Sequence, residues 1–297
     1  MPSARHAVPI SPHRKKVGFA GNLAVLRWIF PVLSLLLPGV CARLALNFFL
    51  TPPKHKEPLW ETAHIKNARR ERLVLAGKYV AVYAWGEGEK RVLLCHAWGG
   101  RGAQLAAFVE PLLARGYTVI AFDAPAHGRS SGKHTDIMEY SNAVDKIIVH
   151  VGGVHAIVGH SFGAANAIFA KHRFGFHAEK LALIGCFSHG SWAIDQFGEL
   201  LNIPAKIIKK MAGTLEDRHD HRLEWKKLDI VEMAKSETTP ILVVHDRKDS
   251  EIPFSHAQEF HAKCGDKIAT FTTDGLGHRR ILRDAAVVAR VCEFVDG

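Results

Sequence analysis

The chain has 297 residues, 47% hydrophobic and 23% charged, a balance that marks a globular protein long enough to bury one large α/β core with an accessory region and leaves no low-complexity tract. Its formal charge of +10 at pH 7 is uneven: residues 1–72 hold twelve Lys or Arg against three Glu, while the remainder holds 27 basic against 26 acidic residues. That near-neutral remainder argues against nucleic-acid binding, which calls for a basic groove interleaved with stacking aromatics.

Arg14-Lys15-Lys16 precedes a run, residues 17–50, whose only charges are Arg27 and Arg43. Between the two arginines the apolar stretch is shorter than the roughly 20 residues a spanning helix needs, although arginines can snorkel at its ends, and Pro31 and Pro38 interrupt it. Three readings stay open: a spanning helix, contact with a membrane surface, and a helical arm packed on the rest of the protein. The run begins late and no small-x-small cleavage site follows it, which argues against a cleaved secretory signal. Five cysteines without a Cys-x-x-Cys pair, with Cys95 and Cys186 at apolar strand ends, read as buried free thiols in a reducing compartment. The catalytic domain is therefore expected to be cytoplasmic, with membrane association through residues 17–50 among the open readings.

From Thr51 to Arg72 prolines and charges form a link. Residues 73–76 and 79–85, joined through Gly77-Lys78, read as a hairpin that begins a sheet. Residues 91–95 read as a buried strand ending in His96-Ala97-Trp98-Gly99-Gly100, a glycine-rich loop that opens a helix near Gln104. Backbone N–H groups at such a loop can face a developing oxyanion, and the candidate donors are Trp98 N–H and Phe162 N–H. The next strand, residues 117–122, leads into Asp123-Ala124-Pro125-Ala126-His127-Gly128-Arg129-Ser130, where Asp123 and His127 read as structural: a carboxylate there can order the turn by accepting backbone N–H bonds.

The apolar residues 154–158 then run into Gly159-His160-Ser161-Phe162-Gly163 and a helical stretch over residues 164–170. Strand, abrupt turn and helix in that order display Ser161 on a strained backbone, which is useful when a base and an acid follow to activate the hydroxyl. About fifty residues separate Cys186 from the strand at Ile241, far more than an ordinary connection. Trp192, Ile194, Phe197, Leu200 and Leu201, then Ile207, Ile208 and Met211, predict two short apolar-faced helices within it, a cap over the serine. Asp217-Arg218-His219-Asp220-His221 has metal-ligand residue types, but they are adjacent in a charged stretch with no complementary cluster, so no metal is expected. Residues 241–244 deliver Asp246 and Asp249 to the carboxyl edge of the sheet, and either can be the acid. The last strand, residues 267–272, places His278 on a glycine-flanked loop before a terminal helix bearing Ile281, Leu282, Val287, Val288, Val291 and Phe294.

These segments, in this order, resemble the α/β-hydrolase family over roughly residues 73–297. Residues 159–163 match its nucleophile elbow, 96–100 its His-Gly oxyanion loop, 122–130 its Asp-x-Pro-Gly-His-Gly-x-Ser segment and 249–253 its acid loop. Ala97 and Ala126 stand where the family commonly has glycine, and their methyl groups restrict the backbone.

The resemblance implies an α/β-hydrolase fold, a mostly parallel sheet flanked by helices, over residues 73–297. It adds a helical cap at about 187–236, with residues 1–72 as a basic, apolar N-terminal segment and linker. It implies Ser161 as nucleophile, His278 as general base and acid, Asp249 as orienting carboxylate with Asp246 in reserve, and Trp98 and Phe162 as oxyanion donors. The implied activity is cofactor-free hydrolysis of a small-molecule carboxylic ester, thioester or lactone. A non-catalytic hydrolase-like protein that binds a small molecule or tethers a partner at a membrane is the rival.

Overall fold

The computed structural model describes residues 22–297, so Arg14-Lys15-Lys16 and the first residues of the apolar run lie outside it. Among the described residues eight strands form one sheet: β1 (Arg69–Leu75), β2 (Lys78–Trp85), β3 (Arg91–Cys95), β4 (Thr118–Asp123), β5 (Ala156–His160), β6 (Lys180–Ile184), β7 (Ile241–Asp246) and β8 (Ile268–Thr273). Their order is β1-β2-β4-β3-β5-β6-β7-β8; β2 runs antiparallel to both its neighbours and the remaining pairs are parallel. The chain order reverses around β3, which lies between β4 and β5, and ligands of open α/β sheets bind outside the strand carboxyl ends at such a reversal.

The first helices are α1 (Asn22–Leu36), α2 (Pro38–Phe49), α3 (Leu59–Lys66), α4 (Val109–Leu113), α5 (Ile137–His150) and α6 (Phe162–Phe174). There follow α7 (Gly190–Leu201), α8 (Ala205–Arg218), α9 (Ile230–Ser236), α10 (Ser255–Cys264), α11 (Gly277–Arg280) and α12 (Ala285–Asp296). Both faces of the sheet are covered, so its central strands are apolar throughout rather than alternating. In β3, Leu93 and Cys95 join a core that includes Tyr140 and Val144 of α5 and Ala164 and Ile168 of α6. Val92 and Leu94, pointing the other way, join Leu105, Leu112 and the α12 residues Val287, Val291 and Val295. Each such side chain removed from water contributes roughly 1.5–3 kcal/mol.

Several elements differ from the sequence expectation. β1 starts at Arg69, ahead of the apolar residues, because a charged edge strand needs backbone pairing with β2 rather than burial. His278 lies in the short helix α11 rather than in an open loop. Within the insertion after β6, α7 and α8 are the two expected helices, whereas α9 packs on α6 and α10 with Ile230, Val231 and Ala234 in the main core.

The link after Thr51 contains a helix, α3, whose Ile65 is buried. The apolar run folds into two helices that break at Leu37-Pro38, and no helix among the described residues is long and apolar enough to cross a membrane. Phe30, Cys41, Ala42 and Ala45 of α1 and α2 instead bury against Ile194, Leu201, Ile207 and Met211 of α7 and α8.

Candidate active site

Ser161 sits where β5 turns into α6, with φ 55° and ψ −117°. An L-residue held there costs about 1–3 kcal/mol, and the surroundings fix it: its N–H donates to Ile184 O at 2.8 Å, tying the turn to the end of β6. Gly163 follows because a Cβ at that position would run into the carbonyl oxygens of Cys95 and His96; α6 starts hard against the end of β3. Ser161 is half-buried and reachable.

His278 enters from α11. Its Nδ1 lies 2.7 Å from Asp249 Oδ2, and both side chains are buried. Asp249 Oδ1 accepts the N–H groups of Glu251 and Ile252 at 2.8 and 2.9 Å, which fixes the carboxylate independently of the imidazole. With Nδ1–H donated to the carboxylate, the imidazole presents an unprotonated Nε2. The ring lies tilted against that of His160, next to Ser161, with centroids 4.6 Å apart and planes at 39°. It also borders Gly185, where a Cβ would come within 3.2 Å of the imidazole. Gly185 directly follows Ile184, the residue that holds the Ser161 N–H, so His278 is brought to the elbow from two sides.

Asp246, the reserve acid, has other partners. Its carboxylate accepts from Lys248 N, Gly275 N, Leu276 N and the Thr273 hydroxyl, pinning the loop that carries His278. Burial opposes its ionisation, but the Thr273 hydroxyl and the backbone N–H groups outweigh it and hold the carboxyl at about 2.

The loop after β3 is locked to the loop after β4. His96 Nδ1–H donates to Ala97 O at 2.7 Å and Nε2 accepts the Ala124 N–H at 2.9 Å; His127 Nε2 accepts the Gly99 N–H at 3.0 Å. Both imidazoles must be neutral to accept, and burial holds them so: His96 is pushed down to about 4 and His127, also repelled by His96, to about 3. Gln104 Oε1 takes the Ala97 N–H, Tyr140 donates to His96 O, and Asp123 accepts from Gly102 N, Arg129 N and the Tyr83 hydroxyl.

Among the described residues Trp98 N–H and Phe162 N–H have no protein acceptor, and the two side chains meet edge to face at 5.2 Å. Ala126 takes φ 65°, a left-handed conformation that a methyl group disfavours, while Ala97 keeps a negative φ. A separate cavity of about 160 Å³ is lined by Pro53, Gly99, Arg101, Asp123 and His127 but by neither Ser161 nor His278.

Sequence reasoning placed Ser161, His278 and the Asp246/Asp249 pair but missed the supports. His160 Nε2–H donates to His278 O at 2.9 Å; burial and the adjacent His278 keep it neutral. Tyr140 and Gly185 carry no local signal, because each acts on a residue distant in sequence; Gln104 reaches back across the glycine loop to Ala97. In the 217–221 stretch, His219 bonds Asp136, which caps the start of α5, and His221 pairs with Asp217.

The sequence profile of the alpha/beta hydrolase family matches residues 92–291. A pyrethroid hydrolase of Sphingobium wenxiniae is 34% identical over 95 residues, 31% of this chain and 32% of that protein. The dihydrolipoyllysine-residue acetyltransferase component of an acetoin cleaving system from Pseudomonas putida is 28% identical over 215 residues, 59% of this chain and 56% of that one. The chain thus spans about a third of one relative and just over half of the other. An esterase of Pyrococcus furiosus shares the fold at TM-score 0.61 and 17% identity, over 83% of this chain and 96% of its own. With the profile covering residues 92–291, two thirds of the sequence, the chain belongs to the alpha/beta hydrolase family.

Proposed function

We propose that this hydrolase cleaves small carboxylic esters, thioesters or lactones through an acyl-enzyme on Ser161. The observation that carries the reading is the 2.7 Å contact from His278 Nδ1 to Asp249 Oδ2, on an imidazole whose ring lies 4.6 Å from that of His160, the residue before the strained serine. His278 Nε2 takes the Ser161 proton as Oγ attacks the ester carbonyl. The negative charge gathering on the carbonyl oxygen is held by Trp98 N–H and Phe162 N–H, each worth about 2.7–4 kcal/mol in the transition state. His278 returns the proton to the leaving alcohol, then takes one from water as the water attacks the acyl-enzyme; collapse frees the acid and restores Ser161.

Asp249 keeps the imidazole in the tautomer that makes Nε2 the base, and stabilises the imidazolium that forms twice per cycle. Nothing in this sequence of steps calls on a cofactor. The pyrethroid hydrolase, as named, is consistent with hydrolytic chemistry.

Turnover of a chain-length series of p-nitrophenyl esters tests the reading. Wild type should hydrolyse a subset and Ser161→Ala none above background. Absence of turnover across the series by folded wild type, with no difference from Ser161→Ala, would favour a hydrolase-like binding protein.

A further inference from the structure

The N-terminal hairpin buries one face and leaves the other bare. Along α1 the exposed residues Val25, Trp28, Ile29, Val32, Leu35 and Leu36 recur at helical spacing, and Leu37, Val40, Leu44 and Phe48 continue the stripe through the turn and along α2. Trp28 is 81% exposed, Leu35 75% and Leu36 73%. The two helices are held side by side, with Phe30 against Phe48 and their inner faces on α7 and α8. Single exposed apolar residues are ordinary; a continuous stripe on a fixed hairpin marks an interaction surface.

The charge around it selects the partner. Residues 1–56 contain no Asp or Glu, and Arg43 lies in the stripe while Arg14-Lys15-Lys16 precedes it in sequence. At the turn, Lys210 Nζ of α8 lies 3.7 Å from where a Cβ of Gly39 would be, and Lys206 and Lys209 are exposed on the same helix. At the other end of the hairpin Arg27 donates to the Leu200 and Glu199 carbonyls of α7. An apolar tip with a rim of lysines matches a surface that is greasy inside and negative outside. A second copy docking on the same face would set the lysine rims of the two copies against each other.

We infer that the exposed face of α1 and α2 docks on an anionic lipid surface, its leucine tip entering the acyl boundary and Lys206, Lys210 and Arg43 meeting the headgroups. Neither helix spans; the hairpin lies in the interface. The docked face is joined to the catalytic end of the sheet by a short, fixed path. Leu50 O accepts the Thr135 N–H, and three residues later Pro53 packs on Gly99 of the loop after β3. Docking therefore holds that loop at a set height above the lipid.

Flotation of the full-length protein with vesicles tests this independently of any enzymatic activity. The probes are phosphatidylcholine vesicles and phosphatidylcholine vesicles containing phosphatidylserine. Wild type should float with the second and lose binding as salt is added. Trp28→Ala with Leu36→Ser should weaken binding about tenfold per residue. Lys206→Gln with Lys210→Gln, which removes no apolar contact, should weaken it roughly tenfold or more in total while leaving the unfolding transition in place. Folded wild type that floats with neither vesicle overturns the inference. So does flotation unchanged by both variant pairs, or a concentration-dependent dimer that Trp28→Ala with Leu36→Ser abolishes, which would make the face an interface between copies.

Discussion

Replacing Asp249 with asparagine separates the orienting role of this carboxylate from its structural one. Oδ1 is committed to the Glu251 and Ile252 N–H groups, so the asparagine oxygen takes that position and its NH2 group is turned toward His278 Nδ1. An NH2 donor facing Nδ1 forces the proton to Nε2, and the imidazole loses the lone pair that accepts the serine proton. The expected fall in kcat is about 10⁴, with the loop bonds and the fold retained.

Asp246→Asn has the opposite profile. Its carboxylate oxygens already serve the Thr273 hydroxyl, Leu276 N–H, Lys248 N–H and Gly275 N–H, so an NH2 group in either position leaves buried donors facing a donor, at about 1–3 kcal/mol. Activity per folded molecule should stay within about tenfold of wild type, since Asp246 touches no reacting atom. The assay is kcat on the best p-nitrophenyl ester beside the urea midpoint for both variants. If Asp246→Asn were inactive but stable, and Asp249→Asn active, the assignment of the acid would be refuted.

Three other substitutions probe the supports. Gly185→Ala places a methyl about 3.2 Å from the imidazole at φ 58°, so kcat should fall about 10²-fold as His278 is displaced, measured on the same ester. Ala126→Gly should raise stability by about 1 kcal/mol, seen as a higher urea midpoint, because glycine removes the methyl strain at φ 65°. Buried His96 holds a folded pKa of about 4, below the unfolded value near 6.5, so the unfolded chain takes up the proton first. Its contribution is complete above pH 6.5 and is lost as pH falls toward 4; wild type should lose about 2 kcal/mol more between pH 7 and 5 than His96→Gln, by urea unfolding at both pH values.

The elbow and the succession of core strands along the chain were legible because each is written locally: apolar runs, and at the elbow Gly-x-Ser-x-Gly followed by an alanine-rich helix. His278 was legible by its place after the last strand, not by residue type. The choice between Asp246 and Asp249 was not, since Asp246 ends β7, Asp249 lies in the turn just after it, and only the three-dimensional path of α11 decides which one meets the imidazole. The hairpin fold of residues 22–49 was similarly hidden: hydropathy marks the run as apolar on nearly every side, and the face that α7 and α8 cover depends on contacts over 150 residues away in sequence. The supports contributed by His160 and Tyr140 are tertiary hydrogen bonds between side chains and distant backbone, which no periodicity reports.

The most direct measurement is peptide mapping after reaction with a fluorophosphonate. A covalent adduct on Ser161 in wild type, none in Ser161→Ala and strongly slowed labelling in His278→Ala are the results predicted for an activated serine. Unlabelled Ser161 in folded wild type, or labelling at full rate without His278, would contradict the account.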